Sequence, residues 1–269
     1  MNLDTLPAVC INLRRRADRW ADFQAQPGLR RFPQRVERFD AIDGAQTDVL
    51  NDQQLGISAR RNITTGIRRS HHEIVAKNSV AIYHTHVSAW RHLLDKTDAP
   101  ALIIMEDDLR IDPDSYDRLH ALFEHPLIQS GDWDIVNPGA VVTRRTPVDD
   151  VVSRYDYSYL FHCYIVSRRG AARLLERAYP IEVHVDHYAG LLSQMGMITV
   201  YGPSVRIFYQ RNNDSDNRDG TCQTCNIPTN ANDVGKYLWN GRLRMYQLEE
   251  SVLAIGLLLG GVYLVRKLI

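Results

Sequence analysis

The stretch Pro100-Ala101-Leu102-Ile103-Ile104-Met105-Glu106-Asp107-Asp108-Leu109-Arg110 decides how the rest of the chain is read. A short apolar run opened by proline reads as a strand buried on both faces of a sheet. Three carboxylates follow where such a strand emerges, and in open α/β sheets the carboxyl ends of strands are where ligands bind. Adjacent carboxylates repel one another unless a cation neutralises them. One reading is a hard divalent metal held by Asp108 together with Glu106, facing a phosphate-bearing substrate. The other is a solvated acidic turn that caps the following helix.

Working outward, Pro7-Ala8-Val9-Cys10-Ile11-Asn12-Leu13 predicts a first strand, ending in Asn12 and Arg14-Arg15-Arg16 before a helix around Asp18-Arg19-Trp20. No glycine-rich phosphate loop follows it, which excludes a dinucleotide fingerprint or a Walker loop there. The stretch Val36 to Gly44 predicts a second strand that closes in the Asp43-Gly44 turn. Residues 45–78 are polar with weak periodicity and read as a long, partly mobile connection. From Asn78 to Leu94, Val80, Tyr83, Val87, Trp90 and Leu94 recur at helical spacing. That helix feeds the acidic strand, and His86 falls beside its apolar face, where a hydrogen-bonded core histidine is the common outcome. Ser158 to Val166 reads as one aromatic-rich strand whose rings mainly pack.

The 269 residues suffice for one large domain or two small ones, and 44% hydrophobic with 24% charged residues suits a globular core. Lys plus Arg equals Asp plus Glu at 32 each, so no global field recruits nucleic acid. Arg14 to Arg16, Arg30-Arg31, Arg60-Arg61 and Arg68-Arg69 all precede residue 70. Guanidinium forks of this kind suit phosphate, or they simply face solvent. Four cysteines, Cys10, Cys163, Cys222 and Cys225, are too few and scattered for a disulfide scaffold. The Cys222-Gln223-Thr224-Cys225 motif lacks the second ligand pair that a zinc site needs. Met1-Asn2-Leu3-Asp4 lacks the basic start and apolar core of a signal peptide, so cytosolic residence is the expectation.

The tail differs in kind. Ser251 to Val265 carries no charge and is bracketed by Glu249-Glu250 and Arg266-Lys267. Fifteen residues of helix rise only about 22 Å against a ~30 Å hydrocarbon core. Snorkelling by Arg266 and Lys267 extends that reach, so the segment is read as a membrane anchor, against the alternative of a buried core helix.

The ordered series Ile11-Asn12-Leu13…Arg19, Ala41-Ile42-Asp43-Gly44, Thr85-His86 and Glu106-Asp107-Asp108 resembles glycosyltransferase family 25. Trp133-Asp134-Ile135-Val136, Tyr164 to Leu175, Val185-Asp186-His187-Tyr188 and Pro203…Gln210…Ser215-Asp216 continue the likeness, which covers roughly residues 7–216. Ala81-Ile82 replaces that family's Gly-Cys pair, Thr85-His86 replaces Ser-His, and the closing signature stops at Ser215-Asp216-Asn217.

The resemblance implies a GT-A α/β fold, a Rossmann-like mixed sheet flanked by helices, in residues 1–216. A polar connector over 217–250 and the apolar helix over 251–269 complete the expected organisation. It also implies inverting transfer of a hexose, galactose or glucose, from a UDP-sugar to a glycan or glycoconjugate acceptor, as in lipopolysaccharide biosynthesis. Manganese or magnesium is the implied cofactor, bridged to the donor by Asp108 and Glu106 with Asp107 supporting the turn. Asn12, Leu13, Arg16 and Asp43 are expected near the nucleoside, and Thr85 and His86 with Glu106 and Asp107 among the donor contacts. Asp186 is the expected base for the acceptor hydroxyl, against the alternative that it caps a helix beginning at Tyr188. His184 or His187 could complete a metal shell, or each could be structural. Partners are therefore nucleotide sugar, glycan acceptor and a membrane, with the catalytic domain on its cytosolic side and no nucleic acid. A catalytically inactive binding relative and a metal-dependent phosphohydrolase are the competing readings.

Overall fold

The structure, a computed structural model, describes residues 1–211 and the backbone of Thr221–Cys222. In chain order it contains β1 (Ala8–Asn12), α1 (Ala17–Gln24), β2 (Val36–Asp40), α2 (Ile57–Thr65), β3 (Ile67–Arg68) and α3 (Lys77–Lys96). Next come β4 (Ala101–Glu106), β5 (Leu109–Arg110), α4 (Ser115–Phe123), α5 (Pro126–Gln129), β6 (Ile135–Val136), β7 (Val141–Pro147) and β8 (Val152–Tyr159). The series closes with β9 (Cys163–Ser167), α6 (Arg168–Glu176), α7 (Val185–Gln194), β10 (Val200–Pro203), β11 (Tyr209–Gln210) and β12 (Thr221–Cys222).

Eight strands form one mixed sheet in the order β2-β1-β4-β9-β6-β10-β8-β7. β1 runs parallel to both β2 and β4, while β9 is antiparallel to its neighbours β4 and β6. β10 is parallel to β6, and β8 and β7 follow antiparallel. Alternation along the strands divides the core. Leu102 and Ile104 of β4 join Val80, Tyr83, Val87 and Trp90 of α3 and Leu174 of α6 on one face. Ala101, Ile103 and Met105 join Phe23 of α1 and Leu119, Leu122 and Phe123 of α4 on the other. A strand covered by helices on both faces must be apolar throughout, which is why β4 reads as an unbroken hydrophobic run. Cys10 and Cys163 are buried free thiols on the α1–α4 side.

Two expectations are corrected. Residues 45–78 are not one unstructured connection, because α2 (Ile57–Thr65) lies within them. Its amphipathicity is weak, with only Ala59 and Asn62 buried, and its N-terminus is satisfied from far along the chain. Glu182 accepts the backbone N–H of Ala59 at 2.8 Å and of Ser58 at 3.4 Å. Gly66, at φ 69°, ends the helix in the left-handed conformation that glycine adopts without strain. Ser158 to Val166 is not one strand either, because β8 and β9 are separated by Leu160-Phe161-His162. The turn contains neither glycine nor proline, so nothing local announces it.

Among the described residues no helix is long and apolar enough to cross a membrane. The connector over 217–250 apart from the backbone of Thr221–Cys222, the apolar segment 251–269, Cys225 and Ser215-Asp216 lie outside the described residues, as does the Cys222 side chain.

Candidate active site

The parallel strands deliver Asn12, Asp40, Glu106 and Val136 to one edge of the sheet, and reversed β9 brings its amino end, preceded by His162, to the same edge. The acidic triplet forms the centre of this rim. Asp107 turns inward to 8% exposure. Its Oδ2 accepts from Asn12 Nδ2 at 2.5 Å, and its Oδ1 is ion-paired with Arg19. Arg19 Nη2 also stands 3.6 Å from Asp108 Oδ2. The cation expected from the repulsion argument is thus supplied in part by the chain itself, through an arginine only 9% exposed. Burial, opposed by Asn12 and Arg19, holds the Asp107 carboxyl above its ordinary range.

Asp108 keeps an unspent charge. Its Oδ2 accepts from Gln210 Nε2 at 3.2 Å, whereas its Oδ1 is buried without a hydrogen-bond partner. Burial first, then the neighbouring Glu106, push this carboxyl up to about 7. Residues 209–211 are fixed beside it. β11 pairs with β5, and Arg211 donates its backbone N–H to Asp108 O at 2.7 Å and its Nη2 to Asp107 O at 2.8 Å.

Glu106 points to the α3 side, where its Oε1 lies 3.4 Å from His86 Nε2. Tyr164 OH accepts from Trp90 Nε1 at 2.8 Å and lies 2.9 Å from His86 Nδ1. Tryptophan can only donate, which leaves the phenol hydrogen for His86 Nδ1 and puts the single imidazole N–H on Nε2, the nitrogen that faces Glu106. The reading of His86 as a hydrogen-bonded core histidine holds, and the ring also addresses the acid turn.

The other expected nucleoside contacts are more dispersed. Asn12 spends its amide hydrogens below the rim, donating also to Arg16 O at 3.1 Å, while its Oδ1 is buried without a hydrogen-bond partner. Arg16 bonds Asp18 at 2.9 Å, and Asp43 pairs with Arg15 at 2.7 Å and accepts Ala45 N–H at 3.0 Å. Thr85 accepts Ile42 N–H at 3.0 Å and donates to Ala81 O at 2.8 Å, tying the chain after β2 to α3. Leu13 is a backbone acceptor for Arg38 at 3.1 Å.

Asp186 lies in the first turn of α7, which begins at Val185 rather than Tyr188. Its Oδ2 accepts Leu160 N–H and its Oδ1 accepts His187 N–H, both at 2.8 Å. Around it, Tyr157 OH and His72 Nδ1 each lie 2.8 Å from His187 Nδ1, and Tyr159 stacks on the same ring at 5.3 Å. Burial, the largest cause in each case, depresses His187 and His162 to about 4. His184 meets Arg68 Nη1 at 3.1 Å. Both His184 and His187 are therefore spoken for by neighbours other than the acidic triplet. Leu160 sits at φ 74°, a conformation that costs a non-glycine residue on the order of 1–3 kcal/mol.

Among the described residues no group of three or more His, Cys, Asp or Glu side chains is arranged to hold a metal unaided. Glu106 and Asp108 nevertheless fit a hard divalent cation whose other positions are filled by ligand oxygens. They are oxygen donors, one has an orphaned buried atom, and their combined charge exceeds what Arg19 offsets. Sequence reading missed Arg19 as a site residue and missed His162, Leu160 and Asn137 altogether. The available signal was position, since Asn137 directly follows a strand and Arg19 opens the helix after the first one.

The family model described as glycosyltransferase family 25 (LPS biosynthesis protein) matches residues 6–189. Procollagen galactosyltransferase 1 of Danio rerio is 29% identical over 170 residues, 60% of this chain and 27% of that protein. Procollagen galactosyltransferase 1-B of Xenopus laevis is 27% identical over 148 residues, 51% of this chain and 23% of that protein. The chain spans about a quarter of the length of these curated relatives. A solved structure, A197 from STIV, aligns at 11% identity with a TM-score of 0.36, covering 80% of this chain and 98% of that one. At that score the likeness carries no argument.

Proposed function

The chain belongs to glycosyltransferase family 25, and from that premise we propose that it moves a hexose from a UDP-sugar to a glycan or glycoconjugate acceptor with inversion at the anomeric carbon. The observation that carries this reading is the acid turn at the end of β4, where Asp108 Oδ1 is buried and unpartnered. A GT-A arrangement, with donor bound across the carboxyl edge of the sheet, accommodates that position. Galactose is favoured over glucose because the curated relatives are named galactosyltransferases.

Asp108 and Glu106 would hold manganese or magnesium. Such an ion supplies positive charge to the departing diphosphate. The protein's own groups do the rest. Arg19 and Asn12 hold Asp107 and with it the turn that carries Asp108 at the sheet rim. His86 directs a ring nitrogen at Glu106. Asp186, oriented by two backbone N–H groups, would accept the proton of the attacking hydroxyl. The uncharged run 251–265 would fasten the protein to a membrane, with the catalytic domain on the cytosolic face.

The test is release of UDP from a panel of UDP-hexoses, with and without manganese, by wild-type protein and Asp108→Asn. Manganese-dependent UDP release, reduced on the order of a hundredfold or more in the variant, is the expected result. Inorganic phosphate in place of UDP would instead assign a phosphohydrolase, and no turnover with any donor would assign a binding relative.

A further inference from the structure

Among the described residues Leu160 is the one non-glycine residue with a positive φ, at 74°. A leucine does not hold that conformation unaided, and its surroundings show what does. Its N–H is taken by Asp186 Oδ2 at 2.8 Å. Its carbonyl accepts from Asn137 Nδ2 at 3.1 Å. Asn137, wholly buried at the end of β6, is itself pinned: its N–H donates to Tyr201 O at 2.8 Å and its Oδ1 accepts Gly139 N–H at 3.2 Å.

Two residues on, the His162 carbonyl accepts the backbone N–H of Glu106 at 2.9 Å. The His162 ring is fully buried against Arg206 Nη2 at 3.2 Å, and a methyl on Gly139 would stand 2.7 Å from its Nε2. Asn137 therefore holds Leu160 directly, and by accepting the Gly139 N–H it fixes the loop that lies close against the buried His162 ring. That segment runs from the carboxylate proposed to receive a proton, Asp186, to the carboxylate proposed to hold the cation, Glu106.

We propose that Asn137 is a positioning residue for the transfer reaction: it locks Leu160 in the left-handed region and thereby sets the separation between Asp186 and Glu106. This rests on the glycosyl-transfer reading.

The experiment compares Asn137→Ala alone with the same change combined with Leu160→Gly or Leu160→Asn, residues that accept positive φ readily. Manganese-dependent UDP release in the presence of acceptor is measured as kcat and KM. Asn137→Ala is expected to lower kcat on the order of tenfold to a hundredfold with donor KM within about twofold. Either second change is expected to restore most of the lost kcat, which a merely structural residue would not show. An active wild type whose Asn137→Ala variant is equally active overturns the positioning role alone, as does a loss that persists in both double variants. A wild type that turns over no nucleotide sugar overturns the transfer reading itself. If Asn137→Ala does not accumulate as folded protein, the pairing with Leu160→Gly must, because glycine removes the need for the grip. A double variant that also fails to fold overturns the proposal.

Discussion

A methyl group on Gly170 would stand 2.1 Å from the backbone carbonyl oxygen of Asp134, where α6 meets the start of β6. The same helix is capped there by Ser167 Oγ, which accepts Gly170 N–H at 3.0 Å. The contact is backbone against backbone, so neither side has a rotamer to yield. Gly170→Ala should cost about 3 kcal/mol, the upper end for overpacking, read as a lower urea midpoint at unchanged slope.

The Asp134 side chain holds the same junction by charge. It is fully buried, accepts from Arg169 Nε at 2.9 Å and Arg173 Nη1 at 2.8 Å, and takes Thr199 N–H at 2.7 Å. Asp134→Asn keeps the shape but takes the carboxylate from Arg173 and leaves Arg169 with Asp132 alone, at 2.6 Å. A loss of about 3 kcal/mol in the same unfolding assay is expected.

These contacts show where local sequence stops being informative. β4, β1 and α3 were legible because their partners are generic: any apolar surface satisfies Ile103 or Trp90, so pattern alone predicts burial. The acid turn was legible for the same reason, since Glu106, Asp107 and Asp108 adjoin one another in the chain. Leu160, α2 and Arg19 were not. Each depends on one particular polar atom far away in sequence, Asp186 and Asn137 for the first, Glu182 for the second, Asp107 for the third. No periodicity encodes such a pairing, so a continuous aromatic run concealed a turn and a polar stretch concealed a helix.

Arg19 gives a third prediction. Its guanidinium favours the ionised forms of Asp107 and Asp108. Arg19→Gln should therefore raise Asp108 still further and leave more of it protonated near neutrality. Manganese affinity by calorimetry above pH 7 should rise, because the potential that draws a proton to Asp108 draws a divalent cation more strongly, and stability should drop by about 3 kcal/mol as a buried pair loses one member. Unchanged affinity in a folded variant would contradict the assignment of Asp108 as a cation ligand.

The pH dependence of stability has opposing parts. His187, depressed to about 4 by burial, binds a proton more readily when unfolded, so its share of stability is lost as pH falls from about 6.5 to 4. Asp108, raised to about 7, works in the other sense: its share is present at low pH and lost as pH rises from about 4 to 7. Comparing wild type with His187→Asn isolates the first part. The stability advantage of wild type should shrink by at most about 1.4 kcal/mol per pH unit on acidification within that window. An advantage constant with pH would show that His187 does not titrate as the fold requires.

One consequence of the guanidinium beneath the acid turn concerns the life history of the polypeptide. With an internal counter-charge already in position, newly made chains can close this rim while no ion is at hand. Under the proposed function, loading would then be a later, separate event, unlike in small domains whose shape is built by their metal. Withdrawal of the ion by a chelator would silence such a protein and leave its architecture standing.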